Sequence, residues 1–302
     1  MKIDVTLKGR LGNQLFIYAT ARALQEKMGA EKLSIDLASV FKVGYQNSLT
    51  NYELIPNIEF YDSREQNKNY RFVNHQLLRI YCMAGAKLNY RSLYEFEKKS
   101  ARLYHSNGLY LCQNGYLDFK AKPKKDIYMN GYFQSYKYFA EIKDKLKKEL
   151  TPKSPIMECN RAFVGKLESE PESVCVDIRL GDYMNNPLHG VCTVEYYRKA
   201  IDYLGKKLKN PVFYVFSDDI ETVTKALNTS YPLVFEDGKS PDYEKLRMMS
   251  KCKHFVISNS SYSWWAQYMS ENPDKLVIAP NKWFKQDVPC DIYMDNWTLI
   301  EV

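Results

Sequence analysis

From residue 174 onward, short apolar runs alternate with stretches of helical spacing, and this pattern limits the chain to few architectures. The runs 174–179, 211–217, 232–235, 254–258 and 275–279 are rich in Val, Ile and Phe. Between them, helical spacing recurs near 193–208, 219–228, 241–252 and 261–271. Such alternation predicts a parallel sheet with helices on both faces. The punctuation agrees: Asp219 can cap the helix that follows it, and Ser240-Pro241 fits an N-cap with proline at the first helical position.

The first half opens in the same way. Ile3, Val5 and Leu7 alternate with polar residues as in a strand, and Gly9-Arg10-Leu11-Gly12-Asn13-Gln14 supplies a glycine turn. Leu15, Ala19, Ala23 and Leu24 keep a helical spacing, Gly29 can close that helix, and 32–37 reads as the next strand. A strand over 127–133 and a helix over 136–150 follow, and Pro152 and Pro155 punctuate the chain after them. Residues 38–125, rich in Tyr, Asn and Arg, show no periodicity that orders them, apart from an apolar patch at Leu77–Met83. With 302 residues and 45% hydrophobic content there is material for two cores. The domains are therefore placed at 1–150 and 151–302.

Composition excludes several functions. The net charge of +7 is distributed in helix-like runs such as 143–148 and 206–209, without a nucleic-acid reader motif. It leaves room only for attraction to an anionic substrate or membrane face. Seven cysteines, with no Cys-x-x-Cys pair, read as reduced cytosolic thiols. No signal-like or membrane-spanning apolar stretch occurs. There is no Asp-x-Asp, and the four histidines have no metal spacing, so neither a metal nor any other cofactor is expected. The 25 tyrosines suit sugar binding, but half-buried packing is the more economical account.

In an open parallel sheet, ligands bind beyond the carboxyl ends of the strands. Three predicted ends are polar there: Asp177-Ile178-Arg179-Leu180-Gly181-Asp182, Ser217-Asp218-Asp219 and Ser258-Asn259-Ser260-Ser261. The last leads directly into a predicted helix, whose N-terminus with its hydroxyls can face phosphate or be capped by one of the serines. Arg179, on the same strand face as Cys175 and Asp177, can meet phosphate with its fork or pair internally with Asp177 or Asp182. An anion site without metal must offset negative charge with Arg, hydroxyls and helix dipole.

Four ordered motifs now carry a resemblance. Gly9-Arg10-Leu11-Gly12-Asn13-Gln14-Leu15-Phe16, Val176-Asp177-Ile178-Arg179-Leu180-Gly181-Asp182-Tyr183, Phe216-Ser217-Asp218-Asp219 and Ser258-Asn259-Ser260-Ser261-Tyr262-Ser263-Trp264-Trp265 are similar to those of the α-1,2-fucosyltransferase family, glycosyltransferase family eleven. The resemblance implies a GT-B type α/β fold of two Rossmann-like domains facing a central cleft, the N-terminal one on the acceptor side and the C-terminal one holding the GDP-sugar. It implies inverting, metal-independent transfer of L-fucose from GDP-β-L-fucose to a glycan hydroxyl, the 2-OH of a galactoside, in bacterial surface polysaccharide synthesis. The enzyme would be cytoplasmic, with an acceptor either free or lipid-linked and peripheral attachment to the inner membrane face left open.

By the same resemblance, Arg179 grips the donor diphosphate, with Ser260 and Ser261 near the phosphates and Asn13 facing the cleft. Gly12, Ser217, Asp218, Ser258 and Asn259 complete the donor set, and Asp177 and Asp182 are the candidate carboxylates for catalysis. Two departures stand out: Asp177 replaces the family's histidine and Leu180 its second arginine. Asp177 can be the general base or only the partner that orients Arg179. Two rival functions remain: transfer of a different GDP-sugar, or sugar-nucleotide or glycan binding without turnover.

Overall fold

A computed structural model describes residues 1–65, 75–123, 125–179 and 186–302. The chain forms two compact units: Met1–Thr151 with Asp287–Tyr293, and Pro152–Gln286 with Met294–Val302.

The first unit runs β1 (Lys2–Thr6), α1 (Leu11–Met28), β2 (Lys32–Asp36), α2 (Ala38–Lys42), β3 (Ile58–Tyr61), α3 (His75–Lys87), α4 (Tyr90–Ser106), β4 (Leu109–Cys112), β5 (Ile127–Gly131) and α5 (Lys143–Glu149). Its sheet has the order β3-β2-β1-β5-β4 with parallel neighbours. The turn before α1 depends on Gly9, at φ +69°, where an added Cβ would lie 2.4 Å from Asn13 Nδ2. The helix ends as its sequence predicts, with Gly29 in the left-handed region at φ 62°, ψ 38°. Most of α1 is buried, and two of its polar side chains are matched by one carboxylate: Tyr18 Oη donates to Glu149 Oε2 at 2.6 Å, and Arg22 Nη2 to Glu149 Oε1 at 3.0 Å. These bonds tie α1 to α5.

The expected helix over 136–150 is shorter than its pattern. Ser135 Oγ accepts from the backbone N–H of Lys137, and 3-10 turns occupy 136–138 and 140–142 before α5 begins. Phe139, at φ −131°, breaks the helical path and packs against Phe16 with ring centroids 5.9 Å apart.

The second unit contains α6 (Arg161–Ser169), β6 (Ser173–Ile178), α7 (Val194–Lys207), β7 (Val212–Ser217), α8 (Ile220–Ala226), β8 (Leu233–Phe235), α9 (Asp242–Ser250), β9 (His254–Val256), α10 (Ser261–Met269), β10 (Val277–Pro280) and β11 (Thr298–Ile300). The sheet order is β11-β10-β9-β6-β7-β8, with parallel neighbours. Val174, Val176 and Ile178 of β6 pack with Tyr196, Ile201 and Leu204 of α7 and Phe213 and Val215 of β7 in one core. The predicted strand-helix alternation is the observed one. Asp219 caps α8, its Oδ1 accepting from Thr222 N at 3.1 Å. One cap differs: Pro241 occupies the N-cap position of α9, and the Ser240 hydroxyl instead accepts from Asn160 Nδ2 at 2.9 Å. Among the described residues, no helix is long and apolar enough to cross a membrane.

Candidate functional site

The three polar strand ends are neighbours in the second sheet, because β9, β6 and β7 lie side by side. The order runs β6-β7-β8 in one direction and β9-β10-β11 in the other, so the topology reverses between β6 and β9. At such a reversal, loops leave on opposite faces of the sheet and open a crevice at the carboxyl edge. Arg179 directly follows β6, Asp218 directly follows β7, and Ser258 to Ser260 join β9 to α10. A cavity of about 160 Å³ bounded by residues 250–253 and 269–272 lies at the opposite, amino edge of β9, away from these groups.

Arg179 is fixed at both backbone and side chain. Its N–H donates to Tyr197 Oη of α7 at 3.3 Å, and its Nε lies 3.3 Å from Asp218 Oδ2. The Arg179 side chain is 16% exposed and that of Asp218 22%, so the pair is half sheltered while remaining within reach of a ligand. Ser217, largely buried, turns its hydroxyl to the backbone, accepting from Asp219 N at 3.0 Å.

Asp177 sits below this rim and is 3% exposed. Its Oδ2 accepts from the Ser263 hydroxyl and, at 3.4 Å, from the Ser258 hydroxyl; the two hydroxyls are 2.8 Å apart. Burial pushes the Asp177 carboxyl above the ordinary range. The Arg179 charge and the Ser263 hydrogen bond oppose that rise, Asp218 adds to it, and Lys245 opposes it. The carboxylate thus ties the end of β6 to the first turn of α10.

The serine cluster divides its labour. Ser258 is fully buried against Asp177, and Ser260 caps α10, accepting from Tyr262 N at 3.2 Å. Ser261 begins the helix and is more exposed than either. Asn259 is buried and braces two loops, Nδ2 donating to His189 O at 2.6 Å and to Trp283 O at 2.9 Å. Behind them, Trp264 and Trp265 are fully buried and anchor α10. The N-terminus of this nine-residue helix and the Arg179 guanidinium both favour an anion.

The second unit thus brings together Arg179, Asp177, Ser217, Asp218, Ser258, Asn259, Ser260 and Ser261. Gly12 and Asn13 lie in the first turn of α1 in the first unit, where Asn13 Oδ1 accepts from Gln134 Nε2 at 2.7 Å. Asp182 falls outside the described residues, as does Leu180. Sequence reasoning misses Tyr197 and Ser263. Nothing in the spacing singles out Tyr197, whereas Ser263 could have been found as the hydroxyl in the first helical turn after the serine cluster. Among the described residues, no group of three or more His, Cys, Asp or Glu side chains could hold a metal ion.

The decisive comparison is with the family model described as glycosyl transferase family 11, which matches residues 2–301. The chain belongs to that family. It is 29% identical to the O-antigen biosynthesis glycosyltransferase WbnK of Escherichia coli, over 96% of this chain and 98% of that one. It is 37% identical to an Escherichia coli alpha-1,2-colitosyltransferase over 43% of this chain and 48% of the relative. Among solved structures, the Bradyrhizobium NodZ alpha-1,6-fucosyltransferase co-crystallized with GDP is similar in fold at a TM-score of 0.56 and 12% identity, covering 89% of this chain and 93% of the other. This family 11 chain is a glycosyltransferase with two parallel-sheet α/β units of the GT-B type.

Proposed function

We propose that this family 11 chain transfers L-fucose from GDP-β-L-fucose to the 2-OH of a galactoside during synthesis of a bacterial surface polysaccharide, with inversion and without a metal. The C-terminal unit would hold the donor and the N-terminal unit the acceptor. The observation that carries this reading is the pairing of Arg179 with the α10 N-terminus at adjacent strand ends, β6 and β9, where the sheet order reverses. Neighbouring strands lie about 4.8 Å apart, a spacing that lets both groups reach one diphosphate. The resemblance of the four motifs to those of the α-1,2-fucosyltransferase family supports GDP-fucose as the donor.

In this mechanism the acceptor oxygen forms a bond to the anomeric carbon as the bond from that carbon to the β-phosphate oxygen breaks. GDP departs with the bonding pair. Arg179 and the α10 N–H groups stabilise the charge that grows on the phosphate, a role for groups already oriented before the reaction. The acceptor proton goes to a base. Asp177, buried beneath two serine hydroxyls, is poorly placed to take it, which supports a positioning role for Asp177 and leaves Asp182 as the carboxylate of that motif to receive it.

The test is to incubate the protein with GDP-fucose and a panel of β-galactosides, following GDP release and the linkage of the product. An α-1,2-linked fucoside is expected. GDP binding without turnover on any acceptor would favour a binding module. A second reading, transfer of another GDP-sugar, is favoured by the similarity to the colitosyltransferase. Faster turnover with GDP-colitose than with GDP-fucose on the same acceptors would establish it.

A further inference from the structure

The first sheet also reverses its order, between β1 and β5, since β2 and β3 extend to one side of β1 while β5 and β4 extend to the other. Its carboxyl edge at that reversal bears Lys8 just past β1, Gln113 just past β4, and Asn130 near the end of β5 with Tyr132 just beyond it. All four are partly exposed. The geometry points to a sugar-hydroxyl subsite on this edge, in which Lys8, Gln113 and Asn130 bind the acceptor ring with Tyr132 as its apolar wall. The assignment of that sugar as acceptor rests on the transferase reading above.

The groups are held for such a role from below. The buried carboxylate of Glu97 in α4 accepts from Tyr81 Oη at 2.6 Å and from Gln113 N at 3.2 Å. The Gln113 side chain is fixed in turn: Nε2 donates to Asn130 O at 3.3 Å, and Oε1 accepts from Lys8 Nζ at 3.4 Å. Lys8 Nζ also lies 5.5 Å from the centre of the Tyr132 ring. Asn130 Nδ2 donates to Tyr128 Oη at 3.0 Å, whereas its Oδ1 is a buried acceptor without a hydrogen-bond partner among the described residues. Buried acceptors are costly to leave unmatched, and a ring hydroxyl is a donor that can match one.

The charge balance favours a neutral sugar over an acidic one. Burial lowers the Lys8 ammonium to about 8, with Cys82 and Glu97 opposing the shift. An anionic ligand would therefore meet a weakened cation backed by a carboxylate. Amide groups and a lysine that donate and accept in fixed directions, beside a tyrosine face, suit a hydroxylated ring.

The experiment has two arms on the full chain. In the first, saturation-transfer NMR with lactose and methyl β-galactoside, without nucleotide, should show transfer to the sugars in the wild type. The sugar dissociation constant should rise about tenfold in Lys8→Met and again in Asn130→Ala, the effect of losing about one hydrogen bond each. Lys8→Met replaces a half-buried ammonium by an apolar chain of similar length, so folding should be retained, and a melting curve checks this. In the second arm, GDP affinity by calorimetry should be unchanged in both variants, and the acceptor KM should rise in step with the sugar dissociation constant. Absence of saturation transfer in the wild type, or equal sugar affinity in wild type and Lys8→Met, overturns the subsite. Failure of the wild type to bind GDP would instead sink the transferase reading, and the NMR result would stand independently of it.

Discussion

Arg179 and Asp177 are two residues apart and coupled by charge, while Asp177 also accepts hydrogen bonds from Ser263 and Ser258. The sequence offers Asp177 or Asp182 as the partner of Arg179; the structure gives Arg179 an ion pair with Asp218, supplied by the next strand, while Asp182 lies outside the described residues. Strand adjacency is a long-range property, and spacing along the chain does not reveal it. If Arg179 stabilises a leaving diphosphate, Arg179→Lys keeps the charge but loses the fork. The rate should fall about 100-fold while GDP affinity falls less, because the arginine acts most strongly on charge that develops in the transition state. Full activity in Arg179→Lys would remove it from the mechanism. For Asp177 acting through Ser263, Asp177→Asn and Ser263→Ala should each slow transfer and be non-additive together, and the acid limb of the pH–rate profile should stay in place. Loss of that limb in Asp177→Asn would make Asp177 the base. Several tyrosines serve packing: Tyr18, Tyr61, Tyr81 and Tyr196 are buried, and their hydroxyls are all engaged in internal hydrogen bonds.

Among the elements, α4 explains why residues 38–125 resist reading from sequence. Its buried face is Leu93, Glu97, Ala101, Tyr104 and His105, so the helical spacing is present but a carboxylate and an imidazole interrupt the apolar stripe. The second-unit strands have no such interruption on most of their length, which is why they are legible. The two polar residues of α4 should act on stability in opposite directions. Burial raises the Glu97 carboxyl to about 7 from an ordinary 4.5, against hydrogen bonds from Tyr81 and Gln113 and the charge of Lys8. A raised folded value means that the stability contribution is complete below about 4.5 and is lost as pH rises through about 7. Burial lowers His105 to about 4 from 6.5, so its contribution is complete above 6.5 and is lost as pH falls toward 4. Denaturant titrations between these limits should show Glu97→Gln gaining on the wild type by roughly 3 kcal/mol as pH rises to 7. His105→Asn should gain on the wild type as pH falls from 6.5 to 4. Parallel curves for wild type and both variants would show that folding leaves the proton affinity of both groups unchanged.

For the whole molecule, each sheet reverses its strand order once, between β1 and β5 and between β6 and β9, and the polar residues gather at those two places. The sequence shows the strand-helix alternation of the second unit but not β11, which follows residues 287–293, a segment that belongs to the first unit. A three-residue strand formed by such a return has no local signature. This division of the chain bears on how the leaving group is neutralised. In the second unit, positive potential at the candidate site comes from Arg179 and the α10 N-terminus, and the nearby carboxylates are already engaged: Asp218 with Arg179, Asp177 with two serines, Asp219 as the cap of α8. Carboxylates used in this way are not arranged to share a divalent cation, and no metal-ligating group of three occurs among the described residues. Transfer should therefore proceed at an unchanged rate in excess chelator, and adding Mg²⁺ or Mn²⁺ afterwards should not raise it. A rate that collapses with chelator and returns with either ion would assign the leaving-group charge to a metal and leave Arg179 a secondary role.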